Sequence, residues 1–144
     1  MDRTAVDTNV VVAGLLSWHE HHDRALPMLR ATLAAESGLI LAFPVLIESY
    51  SVMTRLPPPF RITPRDAHKL LRLAFTDNTT IVSVPAMESW NFMDDLPAAG
   101  VSGGATYNAH ILACAKSGGA IRLATFNKRH FQNLELGDLQ LVTP

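Results

Sequence analysis

The chain has 144 residues, of which 48% are apolar and 17% charged, a composition that excludes a disordered segment and suits a single domain, residues 1–144, with its own core. Twelve basic side chains face thirteen acidic ones, so no global basic field marks a nucleic-acid binder and any such contact must come from a local patch. The single cysteine, Cys114, excludes an internal disulfide framework and a cysteine-rich zinc site.

Elements alternate along the chain. Residues 3–6 read as a short buried strand entering Asp7, and residues 8–16 as a first helix. Residues 19–35 have helical periodicity, with a kink expected at Pro27 and a stop at Gly38. Residues 39–43 form a buried strand, and Pro44 opens a helix to about Arg55. Pro57, Pro58 and Pro59 make a stiff corner. Thr63, Pro64 and Asp66 have the N-cap, first-position and first-turn chemistry of a helix running to about Phe75. Further on, residues 80–84 are a strand, 86–96 a helix, 100–104 a flexible turn, 105–117 a helix ended by Gly118 and Gly119, 121–125 a strand, 128–131 a short helix and 139–142 a last strand. Strands without a polar face, each separated by helices, predict an α/β fold: a three-layer α/β/α sandwich around a mostly parallel sheet. Ligands in such folds bind at the carboxyl ends of the strands.

Four side chains fall at junctions from strand end to helix start. Asp7 stands between two buried segments, where it either caps the next helix through the amides of Asn9 or Val10 or is paired or ligand-bound. Glu48 is the one acid in an apolar helix beginning, or else a solvated helix glutamate. Asn108 lies near the start of the helix 105–117, and Asn127 just past the strand 121–125; each also suits an ordinary first turn or cap. In a parallel sheet these junctions gather at one edge, and two carboxylates with two carboxamides there suit a hard divalent cation, Mg²⁺ or Mn²⁺.

The set Asp7-Thr8-Asn9, the lone Glu48, Gly-Gly-x-x-Tyr-x-Ala at 103–109 and Ala-Thr-x-Asn-x-x-x-Phe at 124–131 resembles PIN-domain ribonucleases, in length and layout most like the VapC-type toxins of toxin–antitoxin pairs. The resemblance implies a PIN fold, a Mg²⁺- or Mn²⁺-dependent endoribonuclease, and a cognate antitoxin partner. It places Asp7, Glu48, Asn108 and Asn127 around the metal as catalytic residues, with a metal-activated water attacking an RNA phosphodiester in line and leaving a 3′-hydroxyl and a 5′-phosphate. Thr8 and Thr125 then position a carboxylate or the scissile phosphate, and Lys128, Arg129 and His130 clamp RNA phosphates. One departure weakens the metal site: the family pattern has Asp where this chain has Asn108, whether by natural variation or by a silencing change. Asp94 and Asp95 are the nearby acids that could replace it.

Other clusters have blander readings. His19, Glu20, His21, His22 and Asp23 have helix-borne zinc spacing but read better as a solvated helix start. Arg65, Lys69 and Arg72, with Arg61 nearby, share a face that touches solvent or RNA. His110 and Cys114 read as packing residues. The apolar helices at 45–53 and 70–75 exceed what one domain buries, so a homodimer face or an antitoxin groove is expected. The longest uncharged run, residues 96–115, is broken by Pro97, three glycines, Asn108 and His110, which predicts no membrane span and a soluble, cytoplasmic protein. Two rivals stand beside the nuclease: a PIN-fold protein that only binds antitoxin or RNA, and a haloacid dehalogenase-like phosphatase using Asp7 as nucleophile, which would need an acid at Asn9.

Overall fold

The computed structural model describes residues 3–144. Five parallel strands form one sheet: β1 (Thr4–Val6), β2 (Leu39–Ala42), β3 (Thr79–Val82), β4 (Arg122–Ala124) and β5 (Gln140–Val142), in the order β3-β2-β1-β4-β5. β1 is central; Ala5 pairs with Ile40 on one side and Leu123 on the other. The inner strands are buried on both faces, which is why they carry no polar alternation, whereas edge strand β3 is partly exposed.

Six helices cover the sheet: α1 (Thr8–Leu15), α2 (His22–Ala34), α3 (Phe43–Thr54), α4 (Pro64–Phe75), α5 (Ser89–Ala98) and α6 (Ala105–Ser117). α1 and α2 lead from β1 to β2, and α3 and α4 from β2 to β3. α5 and α6 then cross from the β3 edge back to β4, on the far side of β1. The chain therefore reverses direction across the sheet between β1 and β4, and this switch point is where doubly wound sheets open a crevice at the carboxyl edge.

Local chemistry explains most of the boundaries. Thr63 Oγ1 accepts from the Asp66 N–H at 3.2 Å with Pro64 opening α4, as the sequence predicts. α1 is apolar on nearly every side because it is sandwiched; a Cβ on Gly14 would fall 2.2 Å from Leu29 Cδ1, so this glycine lets α2 approach. α2 starts at His22 rather than His19. The His19 ring takes the His21 N–H at 3.1 Å and holds residues 19–21 in a turn. α2 then continues through Pro27. The segment expected as one helix at 86–96 is a short 3₁₀ turn, Ala86–Glu88, followed by α5, and residues 128–131 keep only the 3₁₀ turn Lys128–His130.

Candidate functional site

Asp7 leaves β1 at the switch point and becomes the N-cap of α1. It is 7% exposed, and its own N–H donates to the Ala124 carbonyl at 2.9 Å, which fastens it to β4. The Thr8 N–H donates to Asp7 Oδ1 at 2.8 Å, and the Thr125 hydroxyl donates to Oδ2 at 2.8 Å. Both expected roles are thus present in one residue, although the capped amide belongs to Thr8 and not to Asn9 or Val10. Burial pushes the Asp7 carboxyl above its ordinary value. The bonds from Thr125 and Thr8 pull it back, Glu48 nearby raises it, and His130 nearby lowers it.

Thr8 carries the second link. Its hydroxyl donates to Glu48 Oε2 at 3.1 Å, so one threonine holds a carboxylate with its backbone and another with its side chain. Glu48 sits in α3, directly after β2, on the exposed side of a helix whose Val45, Ser49 and Met53 face the core. Asp7 and Glu48, forty-one positions apart in sequence, are joined through Thr8.

Thr125 follows β4 directly and is fully buried, and its hydroxyl is used to capacity. It donates to Asp7 and accepts from Asn9 Nδ2 at 3.3 Å and from the Asn127 N–H at 3.0 Å. Asn9 Oδ1 in turn accepts from the Phe126 N–H at 3.3 Å. Asn9 therefore buttresses the loop after β4 and is a positioning residue that sequence reasoning missed. Its partners lie 116 and 117 positions away, and no local pattern announces them. These bonds also occupy the position where a phosphatase of the dehalogenase type needs its acid.

Asn127 is exposed beside a hollow of about 310 Å³ lined by Phe126, Lys128, Arg129, His130 and Thr143. Asn108 is partly exposed in the first turn of α6, a helix that packs against α3. The carboxamides take no part in the bonds that tie Asp7, Thr8, Glu48 and Thr125 together. Among the described residues no three His, Cys, Asp or Glu side chains gather to hold a metal. Asp94 and Asp95 thus add no third acid to Asp7 and Glu48. The histidines around His19 form no zinc cluster either; His22 Nδ1 lies 2.9 Å from the Ala13 carbonyl and His21 stacks on Phe126. A hard divalent cation fits the oxygen donors present, with two formal negative charges to hold it.

The PIN-domain family model matches residues 4–135, and the chain belongs to that family. Ribonuclease VapC40 of Mycobacterium tuberculosis is 37% identical over 141 residues, covering 96% of this chain and 98% of the relative. Ribonuclease VapC27 of the same organism is 33% identical over 129 residues, covering 87% and 85%. The fold matches VapBC2 from Rickettsia felis, bound to a DNA fragment from its promoter, with a TM-score of 0.68 at 17% identity over 98% of both chains. It also matches VapC20 of M. tuberculosis, described as a sarcin-ricin loop cleaving toxin, with a TM-score of 0.64 at 18% identity over 83% and 86%. The three-layer α/β/α architecture with its parallel sheet agrees with these structures.

Proposed function

We propose that the chain is a single PIN domain acting as the toxin of a toxin–antitoxin pair, a Mg²⁺- or Mn²⁺-dependent endoribonuclease. The observation that carries this reading is the buried carboxylate of Asp7 at the β1–β4 switch point, with Glu48 one threonine away. Two relatives named as ribonucleases at 33–37% identity support the RNA chemistry.

Asp7 and Glu48 would hold the cation, and Asn108 and Asn127 would complete its oxygen shell. A bound cation supplies an activated water and positive charge at the attacked phosphate. Thr125 and Thr8 fix both Asp7 oxygens, so that carboxylate is aimed before any ligand arrives. Thr8 also restrains Glu48. Lys128 and Arg129 border the hollow beside Asn127, where they would neutralise neighbouring RNA phosphates. With a carboxamide at 108, the site lacks a charge whose attraction for a dication 4 Å away is about 8 kcal/mol before desolvation at an effective dielectric of 20. Weakened metal affinity and slower turnover follow.

Partner surfaces support the pairing. Ile47 and Tyr50 of α3, Leu71 and Phe75 of α4 and Ile81 of β3 line an apolar groove of about 480 Å³. Such a surface suits a homodimer contact or an antitoxin helix. Neighbouring folds include VapBC complexes. No helix among the described residues is long and apolar enough to cross a membrane.

RNA cleavage with Mn²⁺ tests the reading. The parent chain is expected to cut slowly, Asn108→Asp to cut at least about 10-fold faster, and Asp7→Ala to lose cutting by about 1000-fold or more. Cutting that survives Asp7→Ala refutes the mechanism. Cutting by Asn108→Asp alone favours the second reading, a PIN-fold protein that binds antitoxin or RNA without catalysis, which the missing third acid at Asn108 motivates.

A further inference from the structure

The turn between α1 and α2 carries a feature that the carboxylate crevice does not use. Five rings stand in an unbroken row. Phe60, in the segment after α3, lies 4.5 Å from Trp18 between ring centroids; Trp18 is 6.1 Å from His19, and His19 is 5.7 Å from His21. His21 then stacks on Phe126 at 4.5 Å with an interplanar angle of 19°. Phe126 is the residue after Thr125, and its N–H is held by Asn9, so the row ends beside the Asp7 network. Its outer end is open: Trp18 is 48% exposed and Phe60 44% exposed, a costly placement for two large rings that no core packing demands.

Cations flank both ends. The Arg24 guanidinium lies over the Phe126 ring at 5.3 Å, Lys128 and Arg129 come after Phe126 and Asn127 in sequence, and Arg61 follows Phe60. The acids nearby are Glu20, an exposed side chain 3.4 Å from His21 Nε2, and Asp23 in the first turn of α2. A row of rings flanked by basic groups matches the two parts of a single strand, unstacked bases and phosphates. A double helix buries its base faces and cannot use such a row.

We infer that Phe60, Trp18, His19, His21 and Phe126 form a base-stacking track that receives single-stranded RNA and leads it to the Asp7 crevice. The inference rests on the ribonuclease reading for its substrate. It adds that the substrate must present unpaired bases on one side of the scissile bond, gripped at Trp18 and Phe60.

Binding measured without metal tests it. In a Trp90→Phe background Trp18 is the sole remaining tryptophan, since the chain has two. Adding a single-stranded RNA of about 12 nucleotides, in the presence of EDTA, is expected to quench its fluorescence, and an abasic ribose-phosphate strand of equal length is expected to leave it unchanged. By anisotropy of the labelled RNA, the double variant Trp18→Ala/Phe60→Ala should bind about 10- to 100-fold more weakly, while Trp18→Phe stays within about threefold. Thermal unfolding of each variant confirms that the fold is kept. The track is overturned if the double variant binds RNA like the parent, or if the abasic strand binds and quenches as well as the base-bearing one. In the first case, lost affinity for a protein partner alone would reassign the rings to that partner. The two readings fail separately. Asp7-dependent cutting with unchanged binding in the double variant removes the track and keeps the nuclease; base-dependent binding without cutting by the parent or by Asn108→Asp removes the nuclease and keeps the track.

Discussion

The two walls of the crevice are held in different ways. On the sheet wall, Asp7, Asn9 and Thr125 are held at the β1–β4 switch point by six hydrogen bonds of 2.8–3.3 Å, all but the one from the exposed Asn127 between buried or half-buried residues. On the helix wall, Glu48 is exposed with a hydrogen bond from Thr8, and the side chain of Asn108, in the first turn of α6, has no hydrogen bond among the described residues. A buried, hydrogen-bonded carboxylate loses no side-chain entropy when a ligand arrives. A solvated side chain pays that ordering cost on binding, about 1–2 kcal/mol for a glutamate. The sheet wall is thus preorganised, whereas a ligand at the helix wall would have to order Glu48 on binding. The same contrast predicts that substitution at position 108 leaves the fold intact while substitution in the Asp7 network costs stability.

Experiments can sharpen or break that contrast. The largest expected effect is at Thr125. Thr125→Val removes a fully buried hydroxyl and leaves Asp7, Asn9 and the Asn127 amide short of a partner, so chemical denaturation should show a loss of about 2–3 kcal/mol. The same variant deprives ionised Asp7 of a donor, raises its carboxyl further and should move the pH profile of metal-dependent cleavage toward higher pH. A loss below about 0.5 kcal/mol would show that the sheet wall is not the rigid one.

A smaller effect is expected from Asp7 itself. Its carboxyl titrates above its ordinary 3.8, so the folded state binds more protons than the unfolded state between the two values. Stability of the metal-free protein therefore falls as pH rises from about 4 through the folded value, and above it the ionised carboxylate is a net cost. Asp7→Asn should accordingly raise the metal-free melting temperature at pH 7 by about 2–5 °C, with the gain vanishing below about pH 4. A variant that melts lower at pH 7 would mean that the hydrogen bonds outweigh the burial. The smallest effect is predicted at Asn108. Asn108→Ala should change unfolding stability by less than about 0.5 kcal/mol, and a larger loss would reveal that the helix wall is anchored after all.

How much of this was legible beforehand follows the range of each signal. The capped start of α4 at Thr63 and the buried strand β2 carry their reasons within a few residues, and the structure places both as expected. The late start of α2 was hidden, because it depends on where the His19 ring turns. Asp7, Glu48 and Asn127 could be singled out as junction residues, but the part of Asn9 could not, since its partners lie across the sheet. The aromatic row was equally silent: its members come from three separate stretches of chain and share no spacing.

Composition, apolar strands and turn residues were enough to determine the class of fold and the family motifs, because helix caps, strand burial and breaker residues act locally and repeat their physics in every chain. Only the tertiary structure decided the strand order that sets β1 beside β4, and with it the meeting of Asp7, Glu48 and Thr125. That order is chosen by which buried faces pack together over more than a hundred residues of separation, a sum of many weak non-local terms that no short window of sequence contains.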